Sequence, residues 1–213
     1  RAARAFRRLA GDTQPRVAFL LPAIPAAYVT LCGAEAAGIA CPVNYLLGEE
    51  HIADLLQHAR VNVLVALGPH PELDIWSKVA GVRRRCPGLA HVVSVGRAQG
   101  APDLDELLAG EERGPLDESY RRGPDDIAAL FHTGGTTGRP KLARHTHRNQ
   151  LHAAWGAACM YGASEADVTL NGFPLFHVAG SLVYGLSSLL AGGEVVLPTL
   201  LGMRNTAFVR RYW

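Results

Sequence analysis

Short apolar runs alternate with helix-length segments through the first half of the chain. The apolar runs occupy residues 16–21, 39–43, 62–66 and 91–95, and the helix-length segments between them occupy residues 26–37, 49–60 and 71–86. The first run is closed by Pro22, and it is apolar throughout after Arg16, which is typical of a parallel strand buried on both faces. In the segment 49–60, Ile52, Leu55 and Leu56 share one side of a helix. This alternation predicts βαβ units and an α/β fold, with mostly parallel sheets flanked by helices.

A polar connection separates this half of the chain from a second half with its own strands and helices. Residues 97–124 are rich in Gly, Pro and charge, with one short helix expected at 103–108 behind the capping residue Asp103. Beyond the connection, strands are expected at 126–131, 142–145, 168–173 and 194–198, and helices at 147–161 and 181–190. Thr146 is the expected N-cap of the helix 147–161. We therefore divide the chain into a first βα half (1–96), a connection (97–124) and a second half (125–213).

Composition and charge exclude several classes of function. The 213 residues are 48% hydrophobic and 19% charged, with a formal net charge of +2, so strong attraction to nucleic acid or anionic lipid is not expected. The longest uncharged run, 17–34, contains Pro22, Pro25 and Gly33, and we interpret it as a strand, a turn and a helix, not as a membrane span.

The cysteines and histidines do not form a metal-binding pattern. The four cysteines are widely spaced and lack a Cys-x-x-Cys pair, which predicts reduced thiols and a cytoplasmic location; they are Cys32, Cys41, Cys86 and Cys159. His145, His147 and His152 have spacings of two and five, which do not place them on one helical face. We predict no metal ion held by protein side chains.

The most informative stretch of the chain is 131–141, Phe-His-Thr-Gly-Gly-Thr-Thr-Gly-Arg-Pro-Lys. Glycines let backbone N–H groups approach an anion closely, and threonine hydroxyls add further donors. Lys141 adds a mobile positive charge suited to phosphate. The stretch does not match the ordinary nucleotide P-loop, Gly-x-x-x-x-Gly-Lys-Ser/Thr, because Arg139 follows Gly134 by five positions. It predicts a polyphosphate-binding loop of another kind.

This stretch resembles the phosphate-binding signature of the adenylate-forming superfamily, which includes acyl-CoA synthetases, peptide-synthetase adenylation domains and luciferases. The matching residues are Thr133, Gly134, Gly135, Thr136, Thr137, Gly138, Pro140, Lys141, Thr146 and His147. Two positions depart from the signature: Gly134 stands where serine is commoner, and Leu142 replaces the usual glycine after the lysine. The earlier segments 17–22 and 33–44 are also similar to acyl-CoA synthetases.

A second motif follows at 173–180, Phe-Pro-Leu-Phe-His-Val-Ala-Gly, which resembles the Pro-Leu-Phe-His-x-x-Gly motif of the same superfamily. The resemblance implies that His177, with Phe176 beside it, lies near the carboxylate and ATP sites and gates the acyl pocket. It also implies that the following helix lines that pocket, with Leu182, Val183 and Leu186 as candidates. These three residues suit a packed core equally well.

The resemblance implies ATP-dependent activation of a carboxylic acid, with fatty acids as the expected class, to acyl-AMP and then to acyl-CoA. The implied small molecules are ATP, Mg²⁺ and coenzyme A, and the implied catalytic residues are Lys141 and His177. The helical patterns at both ends look cut, so we expect an incomplete N-terminal adenylation domain that lacks a C-terminal domain and is inactive alone. Two alternatives remain open: another ATP-using phosphotransferase and a non-catalytic nucleotide-binding module.

Overall fold

The computed structural model describes residues 1–133 and 141–212. Its strands are β1 (Arg16–Leu20), β2 (Ile39–Pro42), β3 (Val63–Leu67), β4 (His91–Val95), β5 (Ile127–His132), β6 (Leu142–Thr146), β7 (Val168–Leu170) and β8 (Glu194–Val196). Its α-helices are α1 (Ala2–Ala10), α2 (Pro25–Ala37), α3 (Glu49–His58), α4 (Ser77–Arg85), α5 (Leu104–Ala109), α6 (His147–Tyr161), α7 (Ser187–Leu190) and α8 (Thr206–Tyr212). A π-helix spans Ala179–Leu186, and short 3₁₀ turns occupy Glu118–Tyr120 and Gly202–Arg204.

The larger sheet has the strand order β4-β3-β1-β2-β5-β6. The first five strands in the chain are parallel to one another, and β6 returns antiparallel to β5. The chain moves from β1 to β2 on one side and then crosses to β3 on the other, which makes the sheet doubly wound. The α/β fold with mostly parallel strands is therefore confirmed.

The core lies on both faces of the central strands. Val17, Ala18, Phe19 and Leu20 of β1 and residues 63–66 of β3 have no solvent exposure. Helices α1 and α2 pack together, as do α3 and α4, so the apolar sides of the helices close the core. Ile52, Leu55 and Leu56 of α3 are buried, as their helical spacing predicts.

Helix α4 is shorter than the sequence pattern predicts. We expect a helix from position 71, but the helix begins at Ser77. Residues 71–76 form an irregular segment in which Leu73 and Ile75 are buried. Because Leu73 and Ile75 are apolar and directly precede α4, the sequence alone does not distinguish this segment from the first turn of a longer helix.

The connection and the second half follow the predicted order. Asp103 caps α5, and its side chain accepts hydrogen bonds from the backbone N–H groups of Asp105 and Glu106. Two arginines of α1 contact the connection: Arg8 pairs with Glu111, and the Arg7 guanidinium lies 3.5 Å from the ring centre of Tyr120. These contacts fix the connection against α1.

A second, two-stranded parallel sheet is formed by β7 and β8. Its carboxyl end contributes the segments 171–178 and 199–204. No described helix has both the length and the apolar character needed to cross a membrane.

Candidate active site

The glycine- and threonine-rich stretch joins the antiparallel strands β5 and β6. His132 and Leu142 are paired across the two strands. One step further, the Thr133 backbone N–H donates to the Lys141 carbonyl at 2.9 Å, and the Thr133 hydroxyl lies 3.4 Å from the same oxygen. The strands therefore hold the two ends of the stretch together, with the side chains of Thr133 and Lys141 exposed.

The remaining predicted phosphate-binding residues lie outside the described residues. They are Gly134, Gly135, Thr136, Thr137 and Gly138. The structure consequently places only Thr133 and Lys141 of the set, one at each end.

The opposite end of the β5–β6 pair is anchored by the start of α6. Thr146 is the N-cap, and its hydroxyl accepts from the Asn149 N–H while the Asn149 side chain accepts from the Thr146 N–H. This reciprocal pair is a capping box, and it confirms the predicted helix start. The His147 N–H also donates to the Asp126 carbonyl at 3.1 Å, which ties the helix to the beginning of β5.

His132 is a site residue that the sequence analysis did not identify. It is the last residue of β5, and its Nε2 accepts a hydrogen bond from the Asn44 backbone N–H at 3.1 Å. Because that nitrogen accepts, the proton of the neutral ring lies on Nδ1. Burial lowers the pKa of His132, and nearby His177 lowers it further. The ring is therefore neutral at physiological pH.

Phe176 joins the second motif to the end of β5. Its ring stacks on the His132 ring with the centres 6.1 Å apart, and it meets Tyr45 edge-on at 5.7 Å. Tyr45 follows β2, whereas Phe176 follows β7, so this aromatic contact connects the carboxyl ends of the two sheets. The two motifs of the sequence are thereby brought together in space.

His177 lies in the turn that precedes the π-helix, and it is exposed. Its Nδ1 accepts from the Ala179 N–H at 3.1 Å, and its backbone N–H donates to the Pro174 carbonyl at 3.1 Å. Because Nδ1 accepts, Nε2 carries the proton of the neutral ring and is available as a donor. The His177 Nε2–H is therefore a hydrogen-bond donor close to the stacked rings of His132 and Phe176.

An apolar cavity of about 200 Å³ opens beside Phe176. It lies at the carboxyl ends of β1, β2, β7 and β8, and it is lined by Ala23, Tyr45, Leu46, Gly172, Phe173, Pro174, Phe176, Leu200, Leu201, Gly202, Met203 and Arg204. Crevices at the carboxyl ends of parallel strands are the usual ligand sites of such sheets. Sequence analysis did not identify the contribution of Tyr45 or of 200–204, because these segments approach Phe176 only in the fold.

The three pocket candidates that follow His177 lie elsewhere. Leu182 is 4% exposed, and together with Leu186 it lines a gap of about 10 Å³ beside α2 and α6. A gap of that size has room for about one water molecule. Val183 is half-buried and does not line either space.

Within the described ranges, no group of three or more His, Cys, Asp or Glu side chains is arranged to hold a metal ion. A Mg²⁺ ion commonly keeps several waters and binds through substrate phosphates, with one or two carboxylates. The described residues fit Mg²⁺ only as an ion carried by a polyphosphate ligand.

The family of the chain follows from comparison with known proteins. A model of the AMP-binding enzyme family matches residues 1–212. The chain belongs to this family, and its relatives include CoA ligases. Marinolic acid–CoA ligase of Pseudoalteromonas sp. (strain SANK 73390) is 33% identical over 219 residues, which cover 100% of this chain and 33% of that protein. The chain thus spans about a third of the length of this curated relative.

Solved CoA ligases share the fold described above. Benzoate CoA ligase from Burkholderia xenovorans LB400 superimposes with a TM-score of 0.78 at 25% identity, over 98% of this chain and 40% of that one. The anthranilate CoA ligase AuaEII, solved in complex with anthranoyl-AMP, superimposes with a TM-score of 0.84 at 22% identity, over 98% of this chain and 39% of that one. The second likeness concerns the fold alone.

Proposed function

We propose that the protein activates a carboxylic acid with ATP and transfers the acyl group to coenzyme A. In the first step a carboxylate oxygen attacks the α-phosphorus of ATP, the bond from that phosphorus to the β-phosphate oxygen breaks, and pyrophosphate leaves. In the second step the thiol of coenzyme A attacks the acyl carbon, loses its proton and displaces AMP. The observation that supports this most directly is the meeting of the Thr133–Lys141 loop ends with the His132–Phe176–His177 cluster at one edge of the fold.

The loop would act on the departing pyrophosphate. Thr133 and Lys141 stand at its two ends, and we propose that Gly134–Gly138 contribute backbone N–H groups and hydroxyls between them. Hydrogen-bond donors that are already in position stabilise the negative charge that develops on the leaving group in the transition state. Stabilisation of this charge accelerates the reaction. Mg²⁺ bound to the ATP phosphates would neutralise part of the same charge.

His177 would act on the acid. Its Nε2–H is the exposed donor of the second motif, because Nδ1 already accepts from Ala179. We propose that this donor orients the carboxylate, or the acyl-AMP formed from it, beside Phe176. The neutral His132 ring stacks against the Phe176 ring. Because it is uncharged, it adds no positive charge that would bind the carboxylate too tightly before the carboxylate reacts.

The apolar cavity beside Phe176 supports an acid with an apolar body, and we propose a fatty or related acid. Its lining is aliphatic and aromatic apart from Arg204 and the Tyr45 hydroxyl, which suits burial of hydrocarbon. The related ligases are named for several acids, among them marinolic acid and benzoate. The names of the relatives therefore do not select one acid, and the proposed acid class is based on the lining of this cavity.

We further propose that 1–96 and 125–213 are the two halves of one adenylation domain, joined by 97–124, and that the chain alone does not complete a turnover. The four free cysteines support a cytoplasmic location.

Analysis of the products tests this proposal. The intact protein would be incubated with ATP, Mg²⁺, coenzyme A and a panel of aliphatic and aromatic acids, followed by mass spectrometry. We expect AMP, pyrophosphate and an acyl-CoA, formed with one class of acid. Formation of ADP and a phosphorylated acid would instead identify a phosphotransferase, and ATP binding without any product would indicate a non-catalytic module.

A further inference from the structure

Asn171 is a buried polar residue directly after β7, and its side chain makes three hydrogen bonds. It has no solvent exposure. Its Oδ1 accepts from the Phe173 N–H at 3.1 Å, and its Nδ2 donates to the Gly180 carbonyl at 2.7 Å and to the Tyr28 hydroxyl at 2.6 Å. One amide therefore connects the turn after β7, the first turn of the π-helix and helix α2.

Tyr28 completes this arrangement from α2. Its hydroxyl accepts from Asn171 and lies 3.3 Å from the Gly180 carbonyl, to which it donates. Burial raises the pKa of Tyr28 to about 12, so the hydroxyl keeps its proton throughout the physiological range. A Cβ atom on Gly185 would overlap this hydroxyl, so the close approach of α2 to the π-helix requires a glycine there.

The two bonds from Asn171 to the motif fall on either side of His177. One holds Phe173, four positions before the histidine, and the other holds Gly180, three positions after it. The backbone of His177 is also bound on both sides: its N–H donates to the Pro174 carbonyl, and its carbonyl accepts from the Ser181 N–H and hydroxyl at 3.1 and 3.2 Å. The segment that presents the His177 ring is thus clamped at both ends by one buried side chain.

We propose that Asn171, supported by Tyr28, is a positioning residue for His177 in the acid-activation reaction. This inference rests on the proposed function for its kinetic consequence. Its structural part, that Asn171 sets the position of the His177 ring, stands apart from that function. π-Helical turns are rare and often occur at functional sites, and here the π-helix begins at Ala179, one residue before Gly180, whose carbonyl accepts from Asn171.

The structural part is tested by the NMR shifts of the His177 ring. We expect Asn171→Ala and the milder Tyr28→Phe to move these resonances. The matched control is Asn62→Ala, because Asn62 also makes three side-chain hydrogen bonds, to residues 13, 14 and 16, at the amino ends of β1 and β3. Unchanged His177 shifts in both Asn171→Ala and Tyr28→Phe would overturn the proposal, whatever the activity of the protein.

The kinetic part is tested by a double-mutant cycle on acid-dependent adenylation. We expect Asn171→Ala to lower the rate about 10- to 100-fold, since a small misplacement of a reacting group has effects of this size. If Asn171 acts through His177, then Asn171→Ala combined with His177→Ala should be no slower than His177→Ala alone. If the double variant were instead slower than His177→Ala by the same factor that Asn171→Ala causes alone, the proposal would be overturned and Asn171 would have a role in stability only. A wild-type protein without activity toward any acid would refute the proposed function and leave the NMR result to decide the positioning role.

Discussion

At the scale of single residues, the candidate site depends on which atoms of its two histidines are already engaged. His132 accepts at Nε2 from Asn44, whereas His177 accepts at Nδ1 from Ala179. The motif 173–180 identifies His177 from sequence, because its neighbours carry the resemblance. His132 could not be found in the same way, because it ends an apolar strand and its partner lies 88 positions away in the chain.

Lys141 gives the sharpest prediction for a single residue. We expect Lys141→Ala to slow adenylation by about 100-fold or more, with little change in the KM for the acid, because the lysine acts on the departing pyrophosphate. The measurement is steady-state kinetics with varied acid and varied ATP. The matched control is Arg144→Ala, which removes one positive charge from an exposed position three residues further along β6. Equal rates in Lys141→Ala and wild type would contradict the role assigned to the lysine.

At the scale of elements, the contact between α2 and α6 contains a buried carboxyl group. Glu35 of α2 faces the Gln150 amide of α6, yet its Oε1 and the Gln150 Nε2 both lack a well-aligned partner in the described residues. Burial raises the pKa of Glu35 to about 7, and the Gln150 amide offsets only part of this effect. The two helices are therefore held less firmly when the carboxyl is ionised.

This carboxyl predicts a specific dependence of stability on pH. Folding raises the pKa of Glu35 from 4.5 to about 7, so the folded state binds the proton more tightly than the unfolded state. The free energy of unfolding should accordingly fall as the pH rises from 4.5 to 7, by up to about 3 kcal/mol. Urea unfolding of wild type and Glu35→Gln at several pH values is the measurement. We expect the Gln variant to be the more stable at pH 8 and to lose this part of the pH dependence. Parallel pH profiles in the two proteins would contradict the assignment.

The elements differ in how well sequence predicts them, and the reason is the range of the interactions that fix them. The start of α6 is set by Thr146 and Asn149, which are close in the chain, and sequence analysis locates it correctly. The segment 181–190 is predicted as an ordinary helix, but the structure has a π-helix followed by α7. Its wide turn is bound by Tyr28, which lies 152 positions from Gly180, so no local pattern could reveal it.

At the scale of the whole molecule, the site forms where the carboxyl ends of two parallel sheets meet. The larger sheet contributes the ends of β1, β2 and β5, and the smaller sheet contributes the ends of β7 and β8. Alternation of apolar runs and helices was enough to predict parallel sheets, because each run is buried on both faces. The meeting of Tyr45 with Phe176, and the cavity beside them, could not be predicted, since they depend on how the two sheets pack.

We propose that this site transfers AMP to a carboxylic acid. ATP–pyrophosphate exchange is the decisive measurement, because it reports formation of the acyl-AMP without coenzyme A. With labelled pyrophosphate and the intact protein, we expect exchange that requires one class of acid, falls sharply in Lys141→Ala and persists in Arg144→Ala. Absence of exchange with every acid tested, while ATP still binds, would contradict the claim.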